Sequence, residues 1–351
     1  MARQRLKYVD VARGIAMIAI VLGHLECDAL NRVVYTFHLP LFYLISGWFL
    51  DARSDLGPFV RKKARQLLLP YYFTCLAYIL ATVAMNLIHR VPWHAELGDN
   101  LLATLFGSGA SYEVPFHIPR IGALWFLWAL FWAIVMMKLL TKAKGAVRLI
   151  AVAVIFGLSV WSEPRFGLPL SLQPGGCALL FVYVGWLLRR AQPRLEALRI
   201  PAWAKAAGVA LALGLWLWFI LTFKSFWLVT ADVGRGAPDI LASCCGCLIV
   251  VLLSRLICRG PRPLSGALAF YGRHSLLFLS VHFIELRRLA YTKLYGKLLA
   301  LSGLADTPAL FVVWRVAAKL TLITAAMLIL LRIPCIRRLY GYGDRSEARY
   351  G

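Results

Sequence analysis

The sequence lacks any polar stretch long enough to fold as a soluble domain. Charge is scarce: Asp, Glu, Lys and Arg make up 16% of its 351 residues, where a soluble domain carries about a quarter. Acidic charge is scarcest, with 16 Asp and Glu against 39 Lys and Arg. Hydrophobic residues reach 61%, and the mean hydropathy is +0.72. The length would allow two soluble domains, but apolar runs recur from end to end. An all-α integral membrane protein is expected, with one transmembrane domain over residues 1–351.

Other signals are missing too. The eight cysteines form no framework. Cys244, Cys245 and Cys247 cluster in an apolar run, while Cys27, Cys75, Cys177, Cys258 and Cys335 are scattered. No spacing suits zinc, so they read as small packing residues and no metal is expected. No internal repeat copies a broken-helix pair, which counts against a secondary transporter. The first apolar run has no small-residue cleavage pattern, so it is expected to stay as the first helix. The net charge of +23 does not signal nucleic-acid binding, because no basic domain lies outside the bundle. No residue pattern specifies an oligomeric state.

What is present is a series of ten apolar spans: Val11–Leu30, Val34–Leu50, Leu67–Ile88, Ile121–Leu140, Val147–Trp161, Gly176–Leu188, Pro201–Phe223, Pro238–Leu256, Leu264–Ile284 and Pro308–Leu331. Each approaches the ~20 residues that cross a bilayer core, the fifth and sixth being short. Residues 100–107 read as a re-entrant or interfacial helix. Lys and Arg crowd alternate loops. One set holds Arg3, Arg5, Lys7, Arg53, Arg61, Lys62, Lys63, Arg65, Lys138, Lys142, Lys144, Arg148, the Arg189–Lys205 region, Arg255, Arg259, Arg262, Arg332, Arg337, Arg338, Arg345 and Arg349. The opposite, poorer set holds Arg32, Arg90, Arg120, Arg165, Lys224, Arg235, Arg287, Arg288, Lys293 and Lys297. The richer set predicts cytoplasmic loops, with both termini cytoplasmic, in a cell (inner) membrane. Arg287, Arg288, Lys293 and Lys297 either touch lipid head groups or receive an anionic acceptor. Arg315 and Lys319, inside the last span, are expected to face the bundle interior.

Several polar groups sit where lipid does not favour them. Asp10, Arg13 and His24 punctuate the first span. Arg13 and His24 are eleven positions apart, roughly 16 Å along a helix and on nearly one face. Intramembrane ionisable groups usually mark a functional path, the alternative being an edge arginine beside a satisfied core histidine. In the second span Pro40 is expected to kink the helix and free carbonyls near His38, while Ser46 and Gly47 permit a close approach by a helix or ligand. Arg61, Lys62, Lys63 and Arg65 suit a phosphate-bearing ligand or plain positive-inside anchoring. His282 and Glu285 are three apart, so the carboxylate can hold the imidazole in one tautomer.

With these segments in order, the chain resembles the membrane-bound acyltransferase-3 family, most closely its branch similar to fucose 4-O-acetylases. The resemblance is carried by Tyr8–Ala16 with His24, by Phe37–Phe49, by Lys63–Tyr71, by Leu124–Trp128 and, late in the chain, by Gly272–His282. Residues 138–256 add little beyond hydrophobicity. The resemblance implies about ten membrane helices, cytoplasmic acyl-CoA as donor and acylation of a carbohydrate hydroxyl. Arg13 and His24 match the family's essential pair. His274, where relatives often have Asn, and Trp48 depart from the pattern and bear on the acceptor or acyl pocket. Many relatives carry an extracytoplasmic hydrolase-like domain. The sequence ends at Gly351 without one, which favours a lipid-linked or nearby membrane glycan as acceptor.

The expected chemistry is direct transfer from acetyl-CoA, a co-substrate, with no bound cofactor. His24 is the expected general base, and Asp10 pairs with Arg13, which orients the donor or binds its phosphates. Lys63, Arg65 and Arg61 are donor-binding candidates. His38, Ser46, Trp125, His282 and Glu285 are acceptor or pocket candidates. An acetyl-His24 intermediate is the other route. Rival readings are a transporter with an Arg–His relay, which moves substrate without consuming acyl-CoA, and a non-catalytic scaffold, in which His24 is replaceable.

Overall fold

The computed structural model describes residues 6–288, 291–302 and 307–342. Arg3, Arg5, Arg345 and Arg349 lie outside the described residues, as do the side chains of Arg288 and Lys293. Of the described residues 76% are helical, and no strand occurs among them. Its helices are α1 (Lys7–Gly23), α2 (Asp28–Val34), α3 (His38–Trp48), α4 (Leu56–Ile88), α5 (Leu97–Phe106), α6 (Trp125–Leu140), α7 (Gly145–Ser162), α8 (Leu172–Ala197), α9 (Ala202–Leu221), α10 (Ala237–Ile257), α11 (Arg262–Arg273), α12 (Ser275–Arg288), α13 (Tyr291–Ser302), α14 (Pro308–Leu330) and α15 (Pro334–Leu339).

Six of these are long and apolar enough to cross a membrane: α4, α7, α8 with the turn before it, α9, α10 and α14. The pair α11–α12, bent by 78° at His274, makes a seventh if it is one crossing. Where the sequence predicts ten spans, α1, α3 and α6 are only 17, 11 and 16 residues long. At 1.5 Å per residue, α3 rises roughly 17 Å, well short of a ~30 Å hydrocarbon core. These short helices are the buried ones. Along α6 nearly every side chain is covered, whereas α9 exposes Trp203, Leu211, Leu217 and Leu221. Long, mostly exposed helices such as α7, α9, α10 and α14 thus surround the short ones and the largely buried α8, and a multi-pass membrane protein results.

Three breaks distinguish the structure from the expected continuous spans. α1 stops at Gly23, and Glu26 takes the left-handed conformation (φ 57°) before α2 begins. α3 begins at His38, so Pro40 lies in its first turn, where no intrahelical N–H is needed. It therefore helps to start a helix and kinks none. The third break is at His274. At all three the imidazole Nδ1 donates to the carbonyl four residues back: His24 to Ile20 (2.8 Å), His38 to Val34 (2.6 Å) and His274 to Phe270 (2.9 Å). A side chain that takes a carbonyl in this way competes with the next turn of helix. At the N-terminal end of α4, Leu56 begins the helix earlier than expected, so Arg61, Lys62, Lys63 and Arg65 stand on a helical surface.

Glycine sets the two closest helix crossings. Gly14 of α1 abuts the Leu268 carbonyl of α11, and Gly272 of α11 abuts the Asp10 carbonyl. Gly47 of α3 and Gly185 of α8 meet the Val182 and Leu44 carbonyls in the same reciprocal manner. Small residues at such crossings let backbones approach where lipid offers no hydrophobic drive for association. Gly47 therefore admits a helix. Gly47→Ala places a Cβ against backbone and is expected to destabilise the fold by about 1–3 kcal/mol. Gly208→Ala, in the open middle of α9, should be neutral or slightly stabilising. Thermal unfolding in detergent micelles distinguishes the two, and equal melting temperatures would remove the close-crossing argument.

Candidate active site

Two cavities meet inside the inner helices. The first, about 1020 Å³, takes Arg13 from α1, Ser46 from α3, the basic residues of α4, Ile134 from α6, Ser275 from α12 and Arg338 from α15. The second, about 950 Å³, takes His24 and Glu26 after α1, His38 from the start of α3, Tyr78 from α4, Asn100 from α5, Trp125 from α6 and Arg287 from the end of α12. Helices α1, α3, α4, α6 and α12 therefore run from one cavity to the other. Ile20, Phe126 and Leu279 line both. These three apolar side chains form the waist between them.

The cavities differ in charge. Six cations border the first: Arg13, Arg61, Lys62, Lys63, Arg65 and Arg338, with no carboxylate among the described lining residues. Such a cluster attracts a polyanion. The second mixes Glu26, Glu96 and Asp99 with Arg120, Arg287 and three histidines, and adds Tyr35, Trp125 and Trp227. Arg287 is held inward: it donates to the carbonyls of Arg120 (2.9 Å) and Ile121 (3.0 Å) and lies against Tyr78 and Phe283. Lys297, by contrast, is exposed.

His24 sits one turn beyond the waist. Its Nδ1 faces the Ile20 carbonyl, which can only accept, so Nδ1 carries the proton and Nε2 keeps the lone pair. The carbonyls freed where α1 ends find side-chain donors: the Tyr35 hydroxyl reaches Gly23 O (2.9 Å) and Arg315 reaches Leu25 O (3.1 Å). Behind His24 lies a buried polar chain. His282 Nε2 is 3.5 Å from His24 Nδ1, and the two rings meet edge-on at 5.2 Å. His282 Nδ1 is 2.9 Å from one Glu285 oxygen, and Lys319 Nζ is 2.5 Å from the other.

The sequence-derived candidates thus separate into three places. Arg13, Lys63, Arg65, Arg61 and Ser46 open on the basic cavity, while His24, His38 and Trp125 open on the second. His282 and Glu285 line neither cavity and stand behind His24. Asp10 is buried near the α1–α11 crossing and lines neither cavity. Arg338 and Lys319 are additions that the sequence does not single out as site residues. The only sequence signal for Lys319 is a cation within an apolar span one turn from Arg315, and Arg338 is hidden in a basic tail.

Comparison with known proteins bears on most of the chain. A family model described as an acyltransferase domain, that of the acyltransferase-3 family, matches residues 6–332. A Nodulation protein NolL of Mesorhizobium japonicum is 31% identical over 147 residues, 38% of this chain and 35% of that protein. A second, from Sinorhizobium fredii, is 30% identical over 145 residues, 37% of this chain and again 35% of that protein. The chain thus aligns with about a third of the length of these relatives. No solved structure matches.

The buried pair generates a stability prediction. Glu285→Ala leaves the Lys319 ammonium without its partner in a low-dielectric interior and should cost about 3–5 kcal/mol. The double variant Glu285→Gln, Lys319→Met should recover most of that loss. Melting curves of the three proteins check this. A Glu285→Ala protein as stable as the wild type would mean that the pair is not buried.

Proposed function

This chain belongs to the acyltransferase-3 family, and on that footing we propose that it is a membrane O-acyltransferase moving an acetyl group from cytoplasmic acetyl-CoA to a hydroxyl of a cell-surface or lipid-linked glycan. One observation carries the reading: a basic cavity and a mixed, aromatic cavity approach each other from opposite ends of α1, with Arg13 in one and His24 in the other. Coenzyme A carries a pyrophosphate and a 3′-phosphate, which suit Arg13, Lys63, Arg65, Arg61 and Arg338. A sugar suits the second cavity, where aromatic faces stand beside hydrogen-bonding groups. The acceptor class is a polyhydroxylated glycan, in keeping with the resemblance to fucose 4-O-acetylases.

The topology follows from the same reading. The seven crossings that length and composition support become ten when α1, α3 and α6 are counted, each completed by the chain at its ends. Both termini and the basic cavity then face the cytoplasm of the inner membrane, where the richer Lys and Arg set lies. The acyl end of the donor passes the waist of Ile20, Phe126 and Leu279 to reach His24.

At that point the acceptor oxygen attacks the thioester carbon. Its O–H bond breaks, and the proton goes to His24 Nε2. The new C–O bond forms, the C–S bond breaks, and the departing thiolate takes the proton from Nε2. The products are an acyl ester and free coenzyme A. A positioned imidazole typically contributes about 10²–10⁴-fold to such a step. The apolar waist limits water, which would otherwise compete for the acyl group.

His24→Ala should abolish formation of acetylated glycan while leaving expression and membrane insertion intact, as read by mass spectrometry after incubation with labelled acetyl-CoA. Wild-type turnover in that variant would remove the base assignment. Arg13→Ala and Lys63→Ala should each weaken donor use by roughly 10–150-fold, the size of one lost charge-assisted contact of about 1.5–3 kcal/mol. A donor titration at saturating acceptor tests this. Unchanged donor dependence with weakened acceptor binding would invert the two cavities.

A further inference from the structure

The buried groups behind His24 form a continuous polar chain that the reaction above does not use. Lys319 lies on α14, His282 and Glu285 on α12, and His24 at the end of α1. Relative exposures are 1% for Lys319, 3% for Glu285 and 0% for His282, so none of them can touch a substrate. Three uncovered polar groups here would be costly, and the chain satisfies each through the next. Its directions are fixed. Lys319 can only donate, so Glu285 accepts and stays ionised. The second Glu285 oxygen accepts from His282 Nδ1–H, which leaves the Nε2 lone pair of His282 turned toward His24 Nδ1. That nitrogen already bears its proton, because it faces the Ile20 carbonyl.

We propose that Lys319, Glu285 and His282 act as a positioning relay, which holds His24 with its Nε2 lone pair free and receives part of the charge when that nitrogen is protonated. This deepens the assignment of His24 as general base and rests on it. Two acceptors, the Ile20 carbonyl and His282 Nε2, converge on one N–H from different helices. Together they lock the tautomer and the ring plane. When Nε2 takes the acceptor proton, the imidazolium Nδ1–H bond polarises toward His282, whose own Nδ1–H polarises toward Glu285. Lys319 keeps the resting chain neutral overall, so no net charge is buried in the absence of substrate. Tyr291 closes the far end, with Lys319 Nζ lying 4.4 Å from its ring centroid. In the second cavity Glu26, Asn31, Tyr35 and His38 also stand with His24, and Arg315 reaches the Leu25 carbonyl beside it. Of these, Tyr35 and Arg315 are committed to backbone carbonyls and His38 Nδ1 to Val34 O.

Two substitutions separate positioning from packing. His282→Asn keeps a donor for Glu285 but is too short to reach His24. His282→Gln extends toward His24 and can offer an acceptor there, although it cannot relay charge. Acetyl transfer is measured with labelled acetyl-CoA and soluble oligosaccharides released from the surface glycans of the producing cells. The donor is titrated at saturating oligosaccharide, and thermal unfolding is followed in parallel. The expected result is a kcat reduced by roughly 10–100-fold in the Asn variant and less in the Gln variant. KM for acetyl-CoA and the melting temperature should stay near wild type. A folded Asn variant with wild-type kcat, or a loss confined to KM, overturns the relay. If neither variant folds, the Glu285→Gln, Lys319→Met protein serves: reduced kcat supports the relay and full kcat overturns it. Absence of acetylated product with the wild-type protein is a different result, and it overturns the proposed acetyl transfer to these glycans.

Discussion

A backbone inside a bilayer must find every hydrogen-bond partner within the protein, and α1 ends where that demand is hardest to meet. The helix stops at Gly23, deep among other helices, instead of continuing to the far side. Its last carbonyls are taken by the imidazole of His24, the hydroxyl of Tyr35 and the guanidinium of Arg315. Each of these donors comes from a different element, so the end of α1 is where α1, the α2–α3 connection and α14 are tied together. The same requirement sets the tautomer that the proposed base needs: committing Nδ1 to a carbonyl leaves Nε2 with the lone pair. Satisfying the backbone and preparing the imidazole are one event.

From that point the charge distribution becomes intelligible. Short inner helices leave room at both ends, and the helices packed around them, the largely buried α8 among them, keep lipid away from the space. One space collects cations from α1, α4 and α15, while the other mixes both signs with aromatic faces. Ile20, Phe126 and Leu279 keep the two apart. An anionic donor and a neutral polyhydroxylated acceptor can then be held in separate chambers and meet only at the waist. On the proposed reading, such a division would keep coenzyme A on one side of a membrane while its acyl group is used on the other.

Much of this was legible in the sequence, unevenly and for physical reasons. Hydropathy revealed a helical membrane protein, because repeated apolar runs of about 20 residues match the bilayer core and leave too little polar surface for water. The ionisable residues at Arg13, His24 and Lys319 stood out, because charge within apolar runs is costly. Helix breaks were less visible. A histidine that takes its own i−4 carbonyl ends a helix without a proline signal, and Gly23 and Gly272 beside these histidines look the same as the glycines of helix crossings, so the runs through His24 and His274 read as continuous. Pro40 misled in the other direction, since a proline looks the same at a kink and in a first turn. Contacts between helices far apart in sequence were beyond reach: His282 was visible with Glu285, three residues away, but neither its meeting with His24 nor the pairing of Glu285 with Lys319 leaves a local trace. The role of Gly47 as a helix contact was open for the same reason.

The most direct test of the two-chamber account is a sidedness measurement in sealed proteoliposomes of mixed orientation. Labelled acetyl-CoA is trapped in the lumen, and soluble surface oligosaccharides are supplied outside. The account predicts acetylated oligosaccharide in the outer solution, and none when donor and acceptor are placed together outside intact vesicles. Acetylation with both substrates on one side of a sealed membrane would contradict it.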